Sequence, residues 1–290
     1  IGGTGIYSPE TLQCFEEKVI QTPYGAALCN IGTMCGNQVI FITRHGVGHK
    51  TAPHKVNYRA NIWALKSLGT EEIFATTAVG SLNPDMEPGH FVVCDQVLDF
   101  TKSRINTFYD NPERGVAHVD FTNPYCPRLR DKVINCLYKT DIIFHKKGCY
   151  VCTEGPRFET AAEIKMFAML GGDLVGMTNM PESLLAREAE MCYTNCSIVT
   201  NMAAGISPTP LSHSEVVEAM DKLAPRYLAE NWDNVGLLIG NPAQEITKIL
   251  TCLDVTEKVI DKAICENYNM IISHHPFLFK GIKKIATDKP

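Results

Sequence analysis

The chain has 290 residues, of which 45% are hydrophobic and 20% are charged, and its formal net charge is −5. This length allows one large α/β domain, or one domain with part of another. The acidic balance argues against nucleic acid as a partner, and no apolar run reaches the ~20 residues that span a bilayer. We therefore expect neither a nucleic-acid nor a membrane partner.

The chain ends and the cysteines carry further expectations. The chain begins with Ile1 rather than Met and stops after Pro290 without a closing element, so we expect it to be cut at both ends.

Its 12 cysteines are scattered beside apolar residues, which is typical of reduced thiols in a cytoplasmic protein. The C-x-x-C of Cys149 and Cys152 lies in a strand-like run. Core packing is therefore the preferred interpretation, with redox or zinc use as the alternative.

Strand-like runs alternate with helical runs along most of the chain. Strands are predicted at 39–43, 72–77, 91–94, 149–153, 174–177 and 196–200, and helices at 58–68, 128–138, 160–170 and 181–190. A further helix is predicted to start at Ser212, with Glu215 placed for a capping box. This alternation predicts an α/β fold with a central sheet.

The pattern changes near Met220. Residues 223–234 have little periodicity, and a new β-α-β signal follows, with strands at 249–253 and 270–273 around a helix at 256–266. We predict two domains, 1–220 and 221–290, the second being an incomplete α/β domain.

Several strand ends carry groups that bind anions. Glycines at Gly2-Gly3-Thr4-Gly5 let backbone N–H groups approach an anion. Arg44 and His45 follow one predicted strand, Thr77 and Ala78 end another, and Thr178 ends a third. Ligands of open α/β sheets gather at such edges, and Arg suits phosphate. Each residue alone could be an ordinary loop residue, but together they predict a phosphate site.

Five motifs carry a resemblance over residues 1 to about 220. They are IGGTGIY, RHGVGHKTAPHKVNYRANIWALKSLG from Arg44, TTAVGSLNPDMEPGHFVVCDQVLDFT from Thr76, EGPRFETAAEIKMF from Glu154 and GMTNMPESLLARE from Gly176. They resemble the trimeric purine nucleoside phosphorylase and methylthioadenosine phosphorylase family. The resemblance implies a phosphorylase/hydrolase-like fold with a central mixed sheet flanked by helices. It also implies a homotrimer that acts in purine salvage, with inorganic phosphate as co-substrate and no cofactor.

The resemblance also implies residue roles. The residues that would hold phosphate are Thr4, Arg44, His45, Thr77, Ala78 and Thr178. Met177 would meet the ribose hydroxyls, Phe158 would pack on the sugar or base, and His49 would lie close to the same anion. His213 matches a position near the 5′-hydroxyl, although it could equally be an exposed residue in the first turn of its helix.

Two residues bear on the choice of base. The adenine-preferring branch carries Asp where this chain has Asn201, and a neutral amide suits the O6 and N7 acceptors of inosine and guanosine better. Glu159 matches the carboxylate with which 6-oxopurine enzymes accept N1–H; the alternative is a solvated acid near a helix start. With Asn201, Glu159 and His45 as catalytic residues, we expect phosphorolysis of inosine and guanosine. A methylthioadenosine or methylthioinosine phosphorylase is the alternative.

The C-terminal piece resembles a second family. LAPRYLAENWDNVGLLIGNP, ILTCLDVT and MIISHHPFLF resemble the opening of the dinuclear-metal family of GTP cyclohydrolase 1 type 2 homologs. His274 and His275 match metal ligands of that family. Its other ligands lie beyond this chain, so we expect an incomplete site that would bind divalent metals only in an intact domain. The competing function is a metal-binding adaptor or hydrolase that works through this domain.

Overall fold

The computed structural model describes residues 1–3, 13–46, 50–113, 115–206, 236–241 and 244–273. The chain divides into two compact units, Ile1–Ile206 and Ser207–Pro290. Among the described residues, no helix is both long enough and apolar enough to cross a membrane.

The described part of the first unit contains ten strands and four helices. The strands are β1 (Gln13–Thr22), β2 (Gly25–Met34), β3 (Asn37–Phe41), β4 (Glu72–Ser81), β5 (Phe91–Val93), β6 (Gln96–Phe100), β7 (Phe144–His145), β8 (Cys149–Thr153), β9 (Leu174–Gly176) and β10 (Cys192–Met202). The helices are α1 (Tyr58–Ser67), α2 (Pro127–Leu137), α3 (Ala161–Met169) and α4 (Glu182–Glu188).

A seven-stranded sheet forms the centre of this unit, in the order β6-β8-β9-β4-β10-β5-β7. Its middle pair, β4 and β10, is parallel, whereas β9 and β5 run antiparallel to β4 and β10 respectively. The predicted central sheet, and its mixed character that the family resemblance implies, are therefore confirmed. Strand β10 is buried without interruption from Tyr193 to Ser197, as expected for a strand covered on both faces.

A second, three-stranded sheet has the antiparallel order β1-β2-β3. The turn from β1 to β2 pairs Thr22 with Gly25, whose φ of 114° is a conformation that favours glycine. The sequence analysis predicted neither β1 nor β2. Six of the ten residues of β2 have exposed or partly exposed side chains in an irregular order, so the strand lacks the strict alternation that would have identified it.

Two of the predicted helices, α1 and α3, begin at side chains that cap their first turn. The Asn57 side chain accepts a hydrogen bond from the backbone N–H of Ala60, which caps the first turn. Ala60, Ile62 and Ala64 of α1 are fully buried in the main core. Helix α3 likewise begins at a complete capping box, with Thr160 as N-cap and Glu163 as its partner.

The second unit contains the β-α-β arrangement that the sequence predicts. Strands β11 (Ile249–Cys252) and β12 (Met270–Ser273) are parallel neighbours, and helix α5 (Glu257–Cys265) connects them. Ile246 and Met270 form its small buried core. The helix predicted from Ser212 lies outside the described residues.

Candidate active site

A cavity of about 660 Å³ opens at the ends of the central strands. Nine of the residues that the sequence analysis selected line it. They are Arg44, His45, Thr77, Ala78, Phe158, Glu159, Met177, Thr178 and Asn201. Three others, Thr4, His49 and His213, lie outside the described residues. Five of them, Arg44, His45, Thr77, Ala78 and Thr178, come from the strand-end argument and lie up to 134 positions apart in the sequence, whereas Asn201 was selected from the family resemblance.

The guanidinium of Arg44 is held by a buried carboxylate. Its Nε and Nη2 donate to the two carboxylate oxygens of Glu182 at 2.6 and 2.7 Å, and its Nη1 donates to the carbonyl of Thr76 at 2.9 Å. Both side chains of the ion pair are almost completely buried. The bidentate face of the guanidinium is therefore bound to Glu182, and the other N–H groups of Nη1 and Nη2 are the ones that could reach an anion.

Arg44 stays charged despite its burial. Burial alone would lower the pKa of Arg44, but the charge and hydrogen bonds of Glu182 raise that pKa above its ordinary value. The Tyr193 hydroxyl donates to Glu182 Oε1 at 2.8 Å, and burial keeps the pKa of Tyr193 well above its usual range. Arg44, Glu182 and Tyr193 thus form one buried, hydrogen-bonded set beside the cavity.

The N-terminal glycines pass next to this set. Gly2 forms a parallel bridge with Thr43, and the backbone N–H of Arg44 donates to the carbonyl of Gly2 at 3.1 Å. A Cβ on Gly3 would lie 2.5 Å from the carbonyl oxygen of Thr76 and 2.7 Å from Arg44 Nη1. Only glycine fits at this position, because any side chain would displace the guanidinium or the neighbouring strand.

The buried imidazole of His45 has a defined proton position. Its Nδ1 lies 2.8 Å from the carbonyl oxygen of Thr51. A carbonyl only accepts, so Nδ1 must carry the proton. His45 can then donate from Nε2 only as an imidazolium, a form that a bound phosphate dianion favours.

A buried polar network fixes the hydroxyl of Thr77. The Oγ1 of Thr77 lies 2.9 Å from Ser197 Oγ, and Asn195 Nδ2 donates to it at 3.1 Å. Cys94 Sγ lies 3.3 Å from the same Ser197 hydroxyl. All four side chains are buried. The sequence analysis missed Asn195 and Ser197, although two polar residues at alternate positions of an apolar strand were an available signal.

The carboxylate of Glu159 is positioned from the end of β8. Thr153 Oγ1 donates to Glu159 Oε1 at 2.6 Å, and Glu159 is half-buried at the cavity wall. The neighbouring helix start is capped by Thr160 and Glu163, not by Glu159. Glu159 therefore makes none of the capping bonds of α3, although it precedes that helix directly.

The amide of Asn201 is also oriented by its neighbours. Its Oδ1 accepts from Thr200 Oγ1 at 2.9 Å, and its Nδ2 donates to the carbonyl of Met202 at 2.9 Å. The register of β10 against β4 shifts between Val199 and Asn201. This irregularity occurs where the strand reaches the cavity. The exposed face of Asn201 leaves room for a ligand.

Two apolar side chains complete the wall. The ring of Phe158 is 82% exposed, so an apolar surface stands open at the cavity. Met177 packs against Gly155, where a Cβ would lie 2.6 Å from its sulfur and where φ is 63°. Thr178 follows Met177, and its backbone N–H donates to the buried hydroxyl of Tyr150 at 3.4 Å.

No group of three or more His, Cys, Asp or Glu side chains that could hold a metal occurs among the described residues. The two candidate ligands His274 and His275 lie outside them.

Two family models match the chain. The phosphorylase superfamily model matches residues 1–229, and the Duf34/NIF3 (NGG1p interacting factor 3) model matches residues 211–290.

Individual proteins are also similar to this chain. The 6-oxopurine nucleoside phosphorylase of Pyrococcus furiosus is 54% identical over 227 residues, which are 77% of this chain and 85% of the relative. The probable S-methyl-5′-thioinosine phosphorylase of Methanothermobacter thermautotrophicus is 51% identical over 224 residues, 77% of each chain. The crystal structure of a methylthioadenosine phosphorylase from an Antarctic soil metagenomic library is 39% identical and superposes with a TM-score of 0.70. That match covers 77% of this chain and 79% of the solved one.

Proposed function

The chain belongs to the phosphorylase superfamily over residues 1–229, and we propose that it converts inosine and guanosine, with phosphate, to the free base and ribose 1-phosphate. One observation carries this proposal. Glu159 and Asn201 line the same cavity as Arg44, His45 and Thr77 of β4. The cavity therefore has a base-reading end, at Glu159 and Asn201, and an anion-binding end, at Arg44, His45 and Thr77. A single nucleoside together with phosphate can contact both ends.

The base-reading end suits a 6-oxopurine. Inosine and guanosine carry hydrogen on N1 and an acceptor at O6, so a carboxylate at Glu159 accepts the first while the amide of Asn201 donates to the second or to N7. Adenine presents a lone pair at N1, which would face the Glu159 carboxylate. An unpaired buried acceptor costs roughly 1–3 kcal/mol, which corresponds to about tenfold to hundredfold discrimination.

The anion-binding end would hold phosphate below the sugar. The outer N–H groups of Arg44, the imidazolium of His45, the backbone at Ala78 and the hydroxyl of Thr178 are the donors that we assign to it. Thr4 is assigned to the same role from the sequence. Fixing phosphate in this way converts a bimolecular attack at C1′ into a positioned one.

The reaction then follows from charge development. The C1′–N9 bond breaks as the sugar becomes oxocarbenium-like, and a phosphate oxygen forms the new bond to C1′. The electron pair of the broken bond moves into the purine, where negative charge grows at N7 and O6. Hydrogen bonds from Asn201 strengthen as that charge grows, so they stabilise the transition state more than the bound nucleoside.

Methylthioinosine is the second candidate substrate, and the 51% identical relative of that name favours it. Its base is also a 6-oxopurine, so Glu159 and Asn201 would serve it equally. The 5′ substituent would distinguish the two, and we assign that choice to His213. We further propose a cytoplasmic homotrimer that acts in purine salvage, with a domain boundary near residue 220.

Residues 221–290 are proposed to belong to a second domain, of the Duf34/NIF3 family, because that family model matches residues 211–290. An adaptor or hydrolase working through that domain would depend on metal and not on phosphate.

One assay separates these functions: release of free base from inosine, guanosine, methylthioinosine, adenosine and methylthioadenosine, each with and without phosphate and a chelator. The proposal expects phosphate-dependent release from inosine and guanosine that the chelator leaves unchanged. Preference for methylthioinosine would favour the second candidate. Activity that needs metal and ignores phosphate would contradict both.

A further inference from the structure

Two buried polar residues of strand β10 lie next to a cavity residue of the neighbouring strand. Asn195 and Ser197 are two positions apart, so their side chains leave β10 on the same face, and both are fully buried. Ser197 is paired with Thr77 across the parallel β4–β10 ladder, which brings the Thr77 side chain to that face. Thr77 lines the cavity, whereas Asn195 and Ser197 do not. The three side chains thus form a row with Thr77 at the cavity wall.

The amide of Asn195 donates to both hydroxyls of this row. Its Nδ2 donates to Ser197 Oγ at 2.8 Å and to Thr77 Oγ1 at 3.1 Å. These two oxygens are closer to the amide nitrogen than Cys94 Sγ, which lies 3.5 Å from it. The amide nitrogen carries two hydrogens, so the two bonds use both of them. Each hydroxyl oxygen therefore accepts one bond from Asn195, and its own hydrogen stays available for another acceptor.

The bond between the two hydroxyls decides where the hydrogen of Thr77 goes. Thr77 Oγ1 and Ser197 Oγ lie 2.9 Å apart, and either atom can be the donor. If Thr77 donates to Ser197, its single hydrogen is used inside the protein. If Ser197 donates to Thr77, the hydrogen of Thr77 is available to an anion in the cavity. Asn195 Oδ1 is a further acceptor for Thr77, but at the longer distance of 3.3 Å.

A thiol behind Ser197 favours donation from Ser197 to Thr77. Cys94 Sγ lies 3.3 Å from Ser197 Oγ, whereas the carbonyl of Val92 lies 3.9 Å from the same sulfur. Burial raises the pKa of Cys94 to about 11, so the thiol keeps its hydrogen at neutral pH and can donate it to Ser197. Sulfur is a weak acceptor, so Ser197 gains little by donating to Cys94. The hydrogen of Ser197 is therefore best placed on Thr77 Oγ1.

We propose that Asn195 and Ser197 are positioning residues for phosphate, because their hydrogen bonds occupy the lone pairs of the Thr77 hydroxyl and direct its single hydrogen to a phosphate oxygen. Without an anion, Thr77 donates to Asn195 Oδ1 or to Ser197. When phosphate binds, the hydroxyl hydrogens turn and the heavy atoms stay in place. This inference rests on the proposed phosphorolysis. Since Asn195 and Ser197 do not line the cavity, their effect falls on phosphate and not on the nucleoside.

A double-mutant cycle in phosphate kinetics tests the proposal. The full chain, Ser197→Ala, Thr77→Val and the double variant are assayed for base release from saturating inosine at varied phosphate, and then from varied inosine at saturating phosphate. Ser197→Ala removes the donor to Thr77, so the KM for phosphate should rise about three- to tenfold, while the KM for inosine stays within about twofold. Thr77→Val removes the hydroxyl itself and should raise the KM for phosphate about tenfold or more. Ser197→Ala should then have no further effect, because no hydroxyl is left to direct.

Ser81→Ala is the matched control. Ser81 is a fully buried serine of β4 whose hydroxyl donates to the carbonyl of Asn83 at 2.8 Å, and it does not line the cavity. This variant should leave the KM values for phosphate and inosine unaltered. Thermal melting verifies that each variant is folded. If Ser197→Ala does not fold, Ser197→Cys takes its place in the cycle, because a thiol has nearly the same size as the hydroxyl and is a weaker donor.

Three outcomes would overturn the proposal. A rise in the KM for phosphate that is equally large with Thr77 and with Val at position 77 would show that Ser197 acts independently of Thr77. An unchanged KM for phosphate in folded Ser197→Ala, with wild-type base release that depends on phosphate, would remove this inference and leave the proposed function standing. Wild-type base release that ignores phosphate would remove both.

Discussion

Glu182 binds Arg44 through both carboxylate oxygens, at 2.6 and 2.7 Å, with both side chains buried beside the cavity. The guanidinium that we assign to phosphate therefore already has a counterion. Glu182 fixes the direction of the two remaining N–H groups and balances the charge of Arg44 when no phosphate is bound. We infer that Glu182 acts as a positioning residue and that Arg44 touches the anion.

Removing Glu182 should destabilise the first unit. Glu182→Ala leaves the buried guanidinium without its partner, and breaking a buried pair from one side typically costs about 3–5 kcal/mol of unfolding free energy. Urea unfolding followed by tryptophan fluorescence measures this loss. Asp110→Ala, which breaks a more exposed ion pair with Arg59, is the matched control and should cost far less. Equal losses of unfolding free energy in the two variants would contradict a larger contribution from the buried pair.

Arg44→Ala should weaken phosphate binding more than nucleoside binding. The substitution removes the two outer N–H donors, so we expect the apparent KM for phosphate to rise at least about tenfold, a typical size for the loss of a charged hydrogen bond. Initial rates at varied phosphate and saturating inosine measure it, and thermal melting confirms that the variant is folded. Normal phosphate saturation in the folded variant would remove Arg44 from the site.

Asn201→Asp should shift the choice of base. A carboxylate cannot donate to O6 unless it is protonated, so the turnover of inosine and guanosine should fall while the relative rate on adenosine improves. The ratio of kcat/KM for inosine and adenosine reports the change. Asn123→Asp makes the same chemical change at an exposed residue outside the cavity and should leave that ratio unaltered. An unchanged ratio in Asn201→Asp would contradict the role of this amide.

Glu159→Gln should reduce activity on inosine by roughly tenfold to hundredfold, because the amide is a weaker acceptor for N1–H than the carboxylate. Adenosine, which has no N1–H, should lose much less. Steady-state kcat/KM for the two nucleosides gives the comparison, with Glu87→Gln, an exposed residue outside the cavity wall, as control. A parallel loss for both nucleosides would indicate that Glu159 supports the loop without reading the base.

Much of the fold could be predicted from hydrophobic periodicity. The predicted strand at residues 149–153 matches β8, and the predicted helix at 160–170 contains α3 together with both of its cap residues. Strand β4 extends to Ser81, beyond the predicted end at Thr77, because pairing with β10 continues to Ser81. Long-range pairing of this kind determines where a strand ends, and local sequence does not contain it.

Part of the cavity was predictable, because residues that follow strands, such as Arg44 and Thr178, can meet at one edge of a sheet whatever their separation in the sequence. The predicted strand end at Thr77 and Ala78 was wrong, because both residues lie inside β4, which also runs antiparallel to β9. The side-chain contacts that hold the cavity residues in place were not predictable from the sequence. Glu182 looks in the sequence like an ordinary acid in the first turn of a helix, and only the packing of α4 brings it to Arg44.

The central claim is that phosphate, and not water, accepts the ribosyl group. The most direct test incubates the full chain with inosine and inorganic phosphate and quantifies hypoxanthine by absorbance and ribose 1-phosphate by phosphorus NMR. If phosphate accepts the ribosyl group, the two products appear in equal amounts and omitting phosphate abolishes both. Hypoxanthine released together with free ribose, at a rate that does not depend on phosphate, would contradict it.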